Sequence, residues 1–117
     1  MESTVTQIES TYTINQYLHI VNKNKSYVYI ITNKPNGTLY IGVTSNLAQR
    51  IYNHKNKTFE SFSKRYNLNK LVYYELFDDI KNAIIREKQL KEWRRAWKLK
   101  IIIDFNPNWK DLYYEIT

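Results

Sequence analysis

The sequence predicts an α+β fold, a small three-stranded and mainly antiparallel sheet flanked by helices in the order β-β-α-β-α-α. Three observations carry this. Two β-branched and aromatic runs, Tyr27-Val28-Tyr29-Ile30-Ile31-Thr32 and Thr38 to Thr44, flank Asn33-Lys34-Pro35-Asn36-Gly37, a composition suited to a hairpin turn. A third run of the same kind spans Lys70 to Phe77. The segments after the second and third runs carry apolar residues at helical spacing behind residues able to cap a helix.

Met1 to Lys25 is polar and rich in Thr and Ser, with a weak apolar pattern at Ile14, Tyr17, Leu18 and Val21, and reads as an N-terminal extension of residues 1–25. A single domain is expected over 26–117. In its hairpin, Pro35 and Asn36 suit the centre of a type I turn and Gly37 the left-handed position that follows. Ser45 or Asn46 is placed to cap a helix through Lys57, with Leu47, Ala48 and Ile51 inward. A loop containing Phe and Lys leads to the third strand. Asp78 or Asp79 then caps a long helix reaching the Trp93 region, and Ala96 to Phe105 forms another that ends before Pro107.

Composition narrows the chemistry. The 117 residues include 43% hydrophobic side chains, enough for one core but not for two domains. With no cysteine, a disulfide scaffold, a thiolate nucleophile and an iron–sulfur cluster are excluded, so any metal must be held by oxygen or nitrogen. Eighteen Lys and Arg against eleven Asp and Glu give a net charge of +7, which favours a polyanionic partner. No run approaches the ~18 apolar residues of a membrane span, and residues 1–25 lack the pattern of a secretory signal, so a cytoplasmic protein is expected.

A hairpin closed at Thr32 and Gly37 places Tyr29 opposite Tyr40 and Tyr27 opposite Gly42. Alternation then puts those four residues on one face and Val28, Ile30, Leu39 and Ile41 on the other. A glycine inside a strand weakens it and usually marks close approach by a ligand or another backbone. Arg50 and His54, four residues apart, share one side of the first helix. On the second long helix Ile80, Ala83, Ile84 and Leu90 define an apolar face, and Glu87 falls in its middle while Glu92 points outward. An inward carboxylate needs a cation, so Glu87 reads as either a metal ligand or half of an ion pair, with Arg86 and Arg94 poorly placed to supply the partner.

Tyr27-Val28-Tyr29, then Tyr40-Ile41-Gly42, Arg50-x-x-x-His54 and an inward helical Glu87 together resemble the GIY-YIG nuclease domain, particularly its small stand-alone bacterial members. The resemblance extends over Ser26 to Leu112, with Tyr-Val-Tyr standing where the family has Gly-Ile-Tyr. It implies hydrolysis of DNA with one divalent cation, Mg²⁺ or Mn²⁺, held by Glu87. Tyr29, Tyr40, Arg50, His54 and Glu87 are then the expected catalytic residues, with Tyr29 acting on water, His54 accepting its proton and Arg50 on the phosphate. Asn106 is the local candidate for the family's late asparagine. Tyr27, Gly42, Lys55, Lys57, Lys64 and Arg65 are expected to contact the nucleic acid, Gly42 by leaving room for its backbone. Tyrosines and the loop residues Phe59 and Phe62 suit stacking on single-stranded or branched DNA, and nothing indicates a protein partner. The alternative is a catalytically silent nucleic-acid-binding module.

Overall fold

The computed structural model describes residues 25–56 and 62–117, and for Phe62 the backbone alone. The expected extension up to residue 24, Lys57, Phe59 and the Phe62 side chain lie outside the described residues. The elements are β1 (Ser26–Thr32), β2 (Leu39–Thr44), α1 (Leu47–Asn56), α2 (Phe62–Arg65), β3 (Lys70–Phe77), α3 (Ile80–Glu92), α4 (Arg95–Phe105) and α5 (Tyr113–Ile116). The strands form an antiparallel sheet in the order β2-β1-β3, as the α+β reading requires.

β1 is central, and Val28 to Ile31 are wholly buried because both faces of the strand are covered. Val28, Ile30 and Ile41 pack with Ala83 and Leu90 of α3 and Ile102 of α4. Tyr29 and Ile31 face the other way, onto Leu47 and Ile51 of α1, Leu68 and Leu112. At about 1.5–3 kcal/mol for each fully buried aliphatic side chain, these two layers dominate the stability of the sheet. In β3 the pairing with β1 slips between Ile30 and Ile31, leaving Val72 as an extra residue. Val72 and Tyr73 therefore fall on the same face despite being neighbours.

The hairpin register differs from the expected one by two residues: Tyr29 faces Gly42, Ile31 faces Tyr40 and Tyr27 faces Thr44. The reason is that the strands pair only as far as Thr32 and Leu39, while Thr32 Oγ1 donates to the carbonyls of Lys34 (3.0 Å) and Thr38 (2.8 Å). The turn is also of another type. Gly37 N–H donates to the Lys34 carbonyl at 2.9 Å, and the left-handed residue is Asn36 (φ 56°), so Pro35-Asn36 form a type II turn. Gly37 serves a different need, because a Cβ there would stand 2.1 Å from Asn33 Oδ1, which accepts from Thr38 N–H.

Asn46 caps α1, its Oδ1 accepting from Gln49 N–H at 3.3 Å, and Asp79 caps α3 through Asn82 N–H at 2.8 Å. The inner face of α3 departs from the expected one: Ile80 and Ile84 are 46% and 36% exposed, whereas Ala83 and Leu90 are fully buried. Arg86 accounts for the rotation. Its Nε and Nη2 donate to Glu75 of β3 (2.9 and 3.0 Å), and its guanidinium lies 5.0 Å over the Trp93 ring. That anchorage turns Ala83, Arg86, Glu87 and Leu90 toward the sheet.

The turn geometry sets a stability test. Asn36→Gly should leave the urea midpoint unchanged or raised, while Asn36→Val should cost roughly 1–2 kcal/mol because a β-branched residue resists positive φ. Equal midpoints for the valine variant and the parent would refute the left-handed assignment.

Candidate active site

Tyr29 has no exposed surface, yet its phenol reaches the rim of the sheet because it lies across Gly42 of the edge strand β2. A Cβ at Gly42 would stand 2.4 Å from both Cζ and the hydroxyl oxygen of Tyr29. The bare position is thus filled by Tyr29, and the expectation that Gly42 makes room for a nucleic-acid backbone is replaced by an internal reason for glycine.

His54 lies one turn beyond Arg50 on α1 and is buried. Its Nε2 is 3.0 Å from the Tyr29 hydroxyl, and its Nδ1 is 2.8 Å from Ser63 Oγ on α2. When Nδ1–H donates to Ser63, Nε2 is the acceptor for the Tyr29 hydroxyl. Burial foremost, then the Arg50 charge, lowers the imidazole from 6.5 to about 4, so the ring is neutral at pH 7. The Tyr40 ring stands 5.7 Å from His54, edge-on, and 6.4 Å from Tyr29.

Electrostatics link the other two groups to this pair. Burial pushes the Tyr29 phenol above its ordinary 10, and the neighbouring Tyr40 adds to the rise. Arg50 opposes it through charge and hydrogen bonding, and the Glu87 carboxylate raises it further. Arg50 from α1 and Glu87 from α3 therefore both act on one hydroxyl, although the two helices cover opposite faces of the sheet. Both reach it because Tyr29 lies across the edge strand at Gly42.

The Glu87 side chain is 15% exposed, and its ion pair is with Lys91, one turn on, at 3.5 Å. Neither nearby arginine neutralises it: Arg86 is committed to Glu75, and Arg94 lies over the Trp97 ring. For a divalent cation this is a suitable donor, a mostly sheltered carboxylate in a loose pair. Among the described residues no cluster of three His, Cys, Asp or Glu accompanies it, so water and substrate oxygens would complete the shell.

Two expected site residues are not brought to this cluster. Asn106 caps α4, and its Nδ2 donates to the carbonyls of Val72 (3.2 Å) and Lys110 (2.8 Å) while Oδ1 accepts from Lys110 N–H (3.0 Å). Its amide is spent on holding the 107–110 turn against the β3 bulge. The Lys55 ammonium donates to the Asn69 carbonyl (2.8 Å) and to Asp111, and lies beside the rings of Tyr113 and Tyr114. It ties α1 to the C-terminal segment instead of facing a ligand. Tyr27 packs edge-on against Tyr74, 6.3 Å between centroids. Lys64 and Arg65 follow Ser63 on α2, and Arg65 is exposed. Ser63 itself is a residue that sequence reasoning missed, since a serine nine positions after His54 carries no pattern of its own.

Tyr27-Val28-Tyr29 and Tyr40-Ile41-Gly42 thus lie on adjacent antiparallel strands with their tyrosines on one face, as the resemblance to a GIY-YIG domain implies. Residues 25–100 match the family model of the GIY-YIG catalytic domain, and the chain belongs to that family. It is similar to UPF0213 protein SSP2268 of Staphylococcus saprophyticus, 37% identical over 68% of this chain and 95% of that protein. It is also similar to UPF0213 protein CPE1444 of Clostridium perfringens, 38% identical over 66% and 82%. The solution NMR structure of UPF0213 protein BH0048 from Bacillus halodurans aligns with TM-score 0.48 and 23% identity, over 74% of this chain and 92% of that one.

The packing of Tyr29 on Gly42 is open to direct measurement. Gly42→Ala should cost about 1–3 kcal/mol in urea unfolding, because the added methyl overpacks a buried ring. A parental midpoint would show that Tyr29 can leave Gly42 freely.

Proposed function

We propose that this chain is a divalent-metal-dependent endonuclease that hydrolyses DNA phosphodiester bonds, with single-stranded or branched DNA as the preferred form. The observation that carries the reading is the 3.0 Å contact between the Tyr29 hydroxyl and Nε2 of a neutral His54, beside Arg50, Tyr40 and Glu87. Membership of the GIY-YIG nuclease family supports it.

A phenol pushed upward by burial is not a resident phenolate at pH 7. Tyr29 instead serves as a proton conduit. Tyr29 is fully buried in the free chain, so substrate binding must open the rim over its hydroxyl; as water then attacks phosphorus, one water hydrogen passes to the Tyr29 oxygen while the Tyr29 hydrogen passes to His54 Nε2, so no free phenolate accumulates. The water oxygen bonds to phosphorus, the bond to the 3′ oxygen breaks, and that oxygen leaves with a proton from solvent. Arg50 binds a non-bridging phosphate oxygen and stabilises the charge that grows there. Tyr40, packed on both rings, keeps the pair in register and faces the attacking water. Glu87 would hold one Mg²⁺ or Mn²⁺, which supplies positive charge to the pentacovalent phosphate and the departing oxygen. Ser63 Oγ, by accepting from Nδ1–H, would leave Nε2 to accept.

Two measurements test this. Glu87→Gln keeps shape but removes the charge, and should lower Mg²⁺- or Mn²⁺-dependent cleavage of a single-stranded or branched oligonucleotide by about 10²-fold or more, with folding intact. Parental cleavage would make Glu87 structural. A rate that needs neutral His54 falls only where the ring takes up a proton, so the depressed pKa moves the acid limb of the pH profile down, to near 4. A limb at the ordinary 6.5, unchanged in His54→Ala, would remove His54 from the proton path.

A further inference from the structure

Of the residues first expected to meet the substrate, Tyr29 is too deeply buried to stack and Lys55, expected on the backbone, is committed to Asp111. A better surface lies at the corner between α3 and α4. Trp97, in the first turn of α4, is 51% exposed. It is nevertheless held firmly: Glu75 fixes Arg86, Arg86 lies over Trp93, and Trp93 meets Trp97 edge-on at 6.0 Å. An exposed indole that is already ordered loses little entropy when a flat group stacks on it.

Among the described residues the charges around it are uncompensated. Arg94 lies 5.6 Å over the Trp97 ring, Arg95 Nη2 donates to the carbonyls of Asn36 and Gly37 (2.7 Å each), and Lys98 Nζ reaches the Lys91 carbonyl. With Lys34 on the same turn, these four cations have no carboxylate partner among the described residues, and Glu92, the carboxylate nearest in sequence, pairs with none of them. The Arg95 bonds also place the corner. They pin it to the hairpin turn at the end of β2, the strand that carries Tyr40 and Gly42, so site and corner are separated by roughly 15 Å along the sheet edge, a few nucleotides of extended strand.

We infer that Trp97, with Arg94, Arg95, Lys98 and Lys34, is a docking surface for the single-stranded flank of a nucleic acid whose scissile phosphate lies at Tyr29 and Arg50. A base stacks on the indole, and the cations take the flanking phosphates. The inference rests on the nuclease reading for its second site, but the docking itself does not require catalysis.

The test is fluorescence anisotropy of a fluorescein-labelled oligothymidylate with the full chain, without divalent metal. Trp97→Ala should weaken binding roughly tenfold, and Trp97→Phe should restore most of it, since a smaller ring still stacks. Arg94→Gln with Lys98→Gln should weaken binding and make the slope of log K against log salt shallower by about 1.4, the share of two phosphate contacts on a single strand. Parental affinity in both Trp97→Ala and the double variant, with melting curves unchanged, would overturn the docking surface. If Trp97→Ala fails to fold, Trp97→Phe and the double variant still decide the matter. Wild-type protein that binds through Trp97 but never cuts with Mg²⁺ or Mn²⁺ overturns the nuclease reading alone. Protein that cuts while binding ignores Trp97 and the two cations overturns the docking surface alone.

Discussion

Burying the Tyr29 hydroxyl is the constraint on which the arrangement of the site depends. A phenol in the sheet interior brings a large apolar area and one polar atom that must find a partner, at about 1–3 kcal/mol if it does not. His54 is buried too and has two ring nitrogens to satisfy. Each solves the other's problem at Nε2, and Ser63 takes Nδ1. This in turn fixes how α1 lies on the sheet, which sends Arg50, one turn earlier, to the same hydroxyl. Gly42 is the geometric condition for all of it, because any side chain there would occupy the space of the ring. The contacts that stabilise this layer of the fold are the same ones on which the proposed proton path relies.

The polar residues fall into two populations. Asn106, Asp111 and Lys55 have their hydrogen-bonding groups directed to backbone groups or to each other, and they bind the C-terminal turn to β3 and α1. Such groups stiffen the structure and have little left with which to meet a ligand. Arg50 and Glu87 are different: Arg50 bonds the Tyr29 hydroxyl and Glu87 pairs only loosely with Lys91. Residue type does not separate the two populations, since an asparagine or lysine near a site looks the same in either role. Only the partners do.

Much of the fold was legible in the sequence because it follows from periodicity. The two-residue error in hairpin register did no harm to the assignment of faces: an even slip preserves alternation, so Tyr29, Tyr40 and Gly42 still share a surface while Val28, Ile30 and Ile41 share the other. The register itself depended on Thr32 Oγ1 and the turn carbonyls, contacts that no hydrophobic pattern encodes. Likewise the wheel of α3 placed Glu87 inward correctly, yet also turned Ile80 and Ile84 inward, because it could not weigh the pull of Glu75 on Arg86. Arg50 and His54 were visible as an i, i+4 pair. Ser63 was not, and the jobs of Lys55 and Asn106 were hidden because their partners, Asp111 and Val72, are brought to them by tertiary packing.

The Glu87 and Lys91 pair shows how a fold can keep a carboxylate inward without spending its charge. At 3.5 Å and with Lys91 mostly in solvent, an i, i+4 pair of this kind contributes only about 0.3–0.5 kcal/mol. It holds the carboxylate only loosely, yet it spares the folded chain an uncompensated charge beside a buried phenol. The stronger pair on the same helix, Arg86 with Glu75, faces away from Tyr29 and takes the load of fixing the helix. Had the two been exchanged, a bidentate arginine on Glu87 would have neutralised the one carboxylate that the Tyr29 hydroxyl senses. Adjacent residues on one helix thus divide anchoring from chemistry, and the division follows from which carboxylate the arginine can reach.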